Sequence, residues 1–138
     1  MDMLASGLPE IVADDEDIAR FLTSSNHFNA QMVKPAAFLP STRDRETSVF
    51  RHGSDPREVL WAIGNEHATG SRTLHGAAIV KTRDVRAAML EVTADEPPPC
   101  HAVIRGWPWL DSDPELQKAQ QKERAISIVS KAVLLLCT

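Results

Sequence analysis

Residues capable of acid–base chemistry crowd into two stretches of the chain. Glu46, Ser48, Arg51 and His52 fall within "ETSVFRH", residues 46–52. Cys100, His101 and Arg105 fall within "PPPCHAVIRGWPW", residues 97–109. An imidazole exchanges its proton near neutral pH, and a carboxylate beside it can hold the ring in one tautomer. On that logic Glu46, His52 and His101 are the candidate catalytic residues of a hydrolytic or transfer site. The condition is that the two stretches meet across a sheet, with Ser48 and Arg51 nearby.

Cys100 and His101 make a poorer pair. A nucleophile and its base need hydrogen-bond contact, and neighbours along a strand project to opposite faces. Cys100 is therefore expected to be an ordinary thiol. A metal site is not expected. The five histidines form no H-x-x-x-H, no C-x-x-C occurs, and Glu66 beside His67 has poor ligand geometry. The six glycines are scattered and build no phosphate-binding loop, so no cofactor is expected.

A second set of residues suits recognition. Arg51, Trp61, Arg105, Trp107 and Trp109 are the residue types that anchor interfaces, and they are the candidate binding residues. Arginine beside aromatic rings also grips single-stranded nucleic acid. Against that, Asp44, Glu46, Asp55 and Glu58 interleave with Arg43, Arg45, Arg51 and Arg57, and the net charge is −4. The acidity lies at the N-terminus, where Asp2, Glu10, Asp14, Asp15, Glu16 and Asp17 face only Arg20. Non-specific nucleic-acid binding needs many phosphates neutralised, so a protein partner or a homo-oligomer is favoured over nucleic acid.

The elements that must position these residues follow from periodicity and punctuation. Residues 14–25, "DDEDIARFLTSS", read as a first helix with Ile18, Phe21 and Leu22 on one face and an acidic first turn. Pro35 and Pro40 forbid a regular helix over the next stretch, and "ETSVFR" has strand composition. "SDPREVLWAIGNEH" reads as a helix capped by Asp55, with Pro56 in its first turn and Val59, Leu60 and Ile63 buried. "LHGAAIVKT" reads as a strand, "RDVRAAMLEV" as one helical turn running into a strand, and "HAVIRG" as a further strand. "ADEPPP" between the last two reads as an extended, rigid linker. Residues 113–136 read as a long C-terminal helix. Asp113 caps it, Pro114 opens it, its polar first half projects into solvent, and Ile126, Val129, Val133 and Leu136 mark its core stripe.

The 138 residues, 43% of them apolar, suffice for one core. The fold class is therefore α+β: a single small domain over residues 14–138, with helices packed on one face of a small, mainly antiparallel sheet. Residues 1–13 form an irregular acidic segment before it. Two cysteines suit a reducing compartment. No basic, apolar leader pattern opens the chain, and the longest apolar run, "AVLLLC", is far short of the roughly 20 residues of a membrane span. A cytoplasmic protein with no membrane association is expected.

From Lys34 to Pro108 the chain resembles a family of small bacterial proteins without an assigned function. The shared pattern is P-x-x-F (Pro35, Phe38), E-x-S-V (Glu46, Ser48, Val49), D-V-R (Asp84 to Arg86), a proline-rich acidic turn (Asp95 to Pro98) and H-A-x-I-x-G (His101 to Gly106). The resemblance implies no activity and marks where a site lies. The first functional expectation is an accessory protein that acts by binding another macromolecule. The alternative is a small enzyme acting on a nucleotide, nucleic acid or modified protein, with His52 and His101 as acid–base groups. Convergence of Glu46, His52 and His101 in one pocket would favour the enzyme.

Overall fold

The computed structural model describes residues 3–68, 70 and 72–137. Its frame is a six-stranded sheet of β1 (Asp17–Leu22), β2 (Thr47–Phe50), β3 (Gly76–Lys81), β4 (Glu91–Ala94), β5 (His101–Arg105) and β6 (Val133–Leu136). The spatial order is β4-β5-β2-β1-β3-β6. Every neighbouring pair is antiparallel. Three helices accompany it: α1 (Arg57–His67), α2 (Thr82–Ala87) and α3 (Pro114–Val129). The α+β class and the single small domain expected from the sequence are what the structure has.

The expected first helix is instead the strand β1. It lies in the middle of the sheet and is covered on both sides. Ile18 and Leu22 join the core under α3, whereas Ala19 and Phe21 meet Leu60 and Trp61 of α1. A strand buried on both faces loses its two-residue alternation, and Ile18, Phe21 and Leu22 then imitate a helical stripe. The helices also occupy both faces of the sheet rather than one. α1 covers β1 and β3 on one side, and α3 with the 3-10 turn Pro35–Ala37 covers the other.

The C-terminal helix is shorter than its sequence suggests. Asp113 accepts the Leu116 N–H at 3.1 Å and Pro114 opens the helix, as expected. The helix ends at Val129, and the chain turns through Ser130–Ala132 and adds β6 beside β3. The core stripe is correspondingly different. Ala125 and Ile128 are buried, while Ile126 and Val133 are exposed. No glycine or proline marks that turn, so the usual stop signals are missing. The polar first half is not free in solvent along its inner side. Gln117 accepts the Leu110 N–H at 2.6 Å, and Gln121 donates to the Pro108 carbonyl at 2.8 Å.

Two further expectations change. α1 begins without a side-chain cap, because the Asp55 carboxylate is taken by His52 Nδ1 at 2.7 Å; Val59 is exposed and only Leu60 and Gly64 are buried. Gly64 is there for space: a Cβ would come within 2.8 Å of Leu74 and 2.9 Å of Phe21. The proline stretch is a tight hairpin connection rather than an extended linker. The Asp95 N–H donates to the His101 carbonyl at 2.9 Å, and the His101 N–H donates to Pro98 at 3.1 Å. β3, α2, β4 and β5 fall where the sequence places them. The irregular N-terminal segment packs against the domain through Val12, which is fully buried. No helix among the described residues is long and apolar enough to cross a membrane.

Candidate functional site

Strands β2 and β5 bring the two chemistry-bearing stretches together. Phe50 stands opposite His101, and Ser48 opposite Val103. The Arg51 N–H donates to the Cys100 carbonyl at 2.8 Å, which sets the alternation of the ladder: Val49 and Thr47 bond to β5, while Ser48 and Phe50 direct their peptide groups toward β1. Ser48, Phe50, His101 and Val103 share one sheet face, and Ser48 is diagonal to His101 across the pair. α1 packs over β1 and β3, so Ser48 stays exposed and the His101 ring is reachable.

The Ser48 hydroxyl lies 2.6 Å from His101 Nε2. On the other side of the ring, Nδ1 is 2.9 Å from the Asp95 main-chain carbonyl and 3.3 Å from Asp95 Oδ2. A carbonyl oxygen only accepts, so Nδ1 carries the proton in the neutral ring and Nε2 is left to accept from the serine. The arrangement is a hydroxyl, an imidazole and an acidic residue in series, the geometry that a nucleophile, its base and an orienting group would need. The hairpin register places the third member, since Ala94 pairs with Ala102 and Asp95 therefore faces His101.

These residues line one wall of a cleft of about 590 Å³. β1 meets β2 at a single register position, Ala19 opposite Phe50, and the Ser48 carbonyl has no strand partner there. Arg20 fills the gap: Nη1 donates to the Ser48 carbonyl at 2.9 Å and Nε donates to the Ala37 carbonyl at 2.8 Å. His27, Arg43 and Arg72 also border the cleft, together with Asp44, Glu46 and Asp95. Among the described residues Arg20, Arg43 and Arg72 enter no ion pair. Burial and the neighbouring Arg72 lower the Arg20 pKa, and burial and Arg20 lower that of His27.

The sequence candidates separate on this frame. His101 and Glu46 border the same cleft, but His52 lies beyond the end of β2 and is bonded to Asp55. Three-way convergence does not occur. Asp95, not Glu46, is the carboxylate beside the His101 ring, and His52 stands apart from it. Cys100 precedes β5 with φ 66°, and burial and Glu96 push its thiol pKa up. Among the described residues no three His, Cys, Asp or Glu side chains come together as a metal site.

The expected binding anchors are mostly covered. Arg51 is buried, its guanidinium bonded to both Glu16 carboxylate oxygens at 2.8 Å and to the Pro9 carbonyl at 2.8 Å. Trp107 is buried at 4% exposure, and the Trp109 ring lies under the Arg45 guanidinium at 4.6 Å. Trp61 is half-buried against the α1 core, and of the five only Arg105 is exposed. These five residues therefore do not form one open surface patch.

Asp95, Arg20, Arg72 and His27 were not singled out from the sequence. Signals in the sequence pointed to two of them, Arg20 and Asp95. An arginine interrupts the apolar run "IARFL", and an acid precedes a histidine across a proline turn in "DEPPPCH". No protein-family model, curated protein or solved structure matches the chain, so the functional reading rests on this site.

Proposed function

We propose that the protein is a small serine-dependent hydrolase, with Ser48 as nucleophile, His101 as general base and acid, and Asp95 as the group that orients the ring. The observation that carries this reading is the continuous chain from the Ser48 hydroxyl through both His101 nitrogens to Asp95. An imidazole held this way raises serine reactivity, and general acid–base assistance of this kind contributes on the order of a hundredfold to ten-thousandfold in rate.

On an ester substrate the Ser48 oxygen bonds to the carbonyl carbon while its proton passes to His101 Nε2. The same proton then goes to the departing alkoxide as the carbon–oxygen bond breaks. Water repeats the two steps and releases the acid and free Ser48. Negative charge develops on the carbonyl oxygen in between. Arg20, bonded to the carbonyl of Ser48 itself, is a fixed cation beside the serine that can receive it.

The macromolecule-binding reading draws its support from anchors that are largely covered, which is why catalysis is preferred. A fluorophosphonate ester tests the choice directly. The wild type is expected to gain one phosphonyl group on Ser48, located by peptide mass spectrometry, and Ser48→Ala to gain none there. A folded wild type that stays unlabelled at Ser48 under saturating reagent would remove the nucleophile and leave a binding function.

A further inference from the structure

Arg20 and Arg72 lie where two hollows meet. They border the large cleft, and with Ser48 they also line a smaller hollow of about 160 Å³ formed by Phe21, Phe50, Gly64 and His67. The guanidinium of Arg20 has five N–H bonds, and two are committed, to Ala37 and Ser48. Three remain for a ligand. Arg72 is exposed on the loop after α1, and His27 borders the same space. The acids of the cleft are Asp44, Glu46 and Asp95, and among the described residues none of them forms an ion pair with Arg20 or Arg72. Asp95 is engaged with His101, and Asp44 accepts the Glu46 N–H at 3.2 Å on the opposite loop. The charges that act on Arg20 and His27 are cationic, Arg72 on the first and Arg20 on the second. A half-buried guanidinium with no ion-pair partner among the described residues, beside a second one, suits an anion with several acceptor oxygens.

The smaller hollow adds a second requirement. Phe50 packs against both Phe21 and His67, with ring centroids 5.4 Å and 4.5 Å apart, and Gly64 lies close against Phe21. This surface suits a flat, weakly polar group. We infer that Arg20, Arg72 and His27 hold the phosphate of a mononucleotide-like substrate, whose ring enters the hollow of Phe21, Phe50 and His67. The inference deepens the catalytic reading, and rests on it for taking the ligand as substrate. Phosphate binding itself is measured without turnover.

The experiment uses the full chain carrying Ser48→Ala, which cannot turn over. Inorganic phosphate, ribose 5-phosphate and a nucleoside monophosphate are titrated in separately by calorimetry at low salt. All three are expected to bind, the nucleoside monophosphate at least about tenfold more tightly than ribose 5-phosphate, as stacking on aromatic side chains requires. Adding Arg72→Ala, a change on an exposed loop, should weaken all three by about tenfold or more through loss of one charge-assisted contact. Absence of phosphate binding at millimolar concentration overturns the site. So does binding that Arg72→Ala leaves unchanged. Equal affinity for ribose 5-phosphate and the nucleoside monophosphate overturns the ring assignment. If phosphate binds as expected while Ser48 of the wild type resists the fluorophosphonate, the catalytic reading fails and the anion site stands.

Discussion

Ser48 and His101 are 53 positions apart in the chain, yet Oγ and Nε2 approach to 2.6 Å because β2 and β5 are paired in a register that puts both side chains on one face. The contact depends on the ring orientation that Asp95 imposes. His101→Gln should lower the rate of Ser48 phosphonylation by about a hundredfold or more, the usual worth of a positioned base. Asp95→Asn should cost much less, because the main-chain carbonyl of residue 95 still accepts from Nδ1. Rates of labelling in the three proteins test this, and equal rates in wild type and His101→Gln would contradict it.

Cys100 is expected to behave as a sluggish thiol. Burial and the Glu96 carboxylate both oppose its ionisation. In a Cys137→Ser background, alkylation by iodoacetamide should keep accelerating above pH 8, since only the thiolate reacts. A rate that levels off near pH 6 would reveal an activated cysteine and contradict the packing around residue 100.

Glu16 ties acid stability to Arg51. Burial alone would raise the Glu16 pKa, but the Arg51 bonds and the Ala13 N–H outweigh it and hold the carboxyl below its usual value. A folded-state pKa below the unfolded one gives stability that is complete above the unfolded value and is lost as pH falls through the folded value. Urea midpoints of wild type and Glu16→Gln should therefore differ at pH 7, and the difference should begin to shrink as pH falls below the ordinary carboxylate value of about 4. Arg51→Met should cost about 3 kcal/mol by leaving Glu16 without its partner. A wild-type advantage over Glu16→Gln that does not diminish at all as pH is lowered would show that charge is not what the pair contributes.

Trp107 separates packing from hydrogen bonding. Its ring is buried, but among the described residues its indole N–H has no partner. Trp107→Ala should destabilise by about 3 kcal/mol or more, the cost of an aromatic truncated in a core. Trp107→Phe keeps an aromatic ring and removes the unpaired donor, so it should cost under about 1.5 kcal/mol. Thermal melts of the two variants decide, and equal losses would mean that the N–H has a partner after all.

The elements read correctly from sequence are those whose signals are local. β3 and β5 announce themselves by short apolar runs, and α3 by Asp113 and Pro114 at its start. β1 was misread because its burial on both faces is a property of the finished sheet. The end of α3 was misread because the turn at Ser130–Ala132 carries no breaker, and "VLLL" becomes a strand only by pairing with β3. The site divides in the same way. His101 and Glu46 were legible by residue type and Ser48 by its place near them. Asp95 required the hairpin register, which the reading of "ADEPPP" as a linker concealed. Arg20 required knowing that β1 and β2 diverge.

The strand order carries a kinetic consequence. β4 and β5 are joined by a tight turn, but the remaining ladders close long loops: Asp17 pairs with Lys81, Thr47 with Ile104 and Gly76 with Leu136. Each such closure gives up chain entropy before its hydrogen bonds and side-chain contacts repay it. A sheet assembled this way has high contact order and belongs with the domains that fold in milliseconds to seconds, not microseconds. The β4–β5 hairpin, which already contains Asp95 and His101, can form early. Ser48 reaches His101 only after the slow joining of β2, so the contact between them forms late in folding, and a partly folded chain holds Asp95 against His101 without the serine.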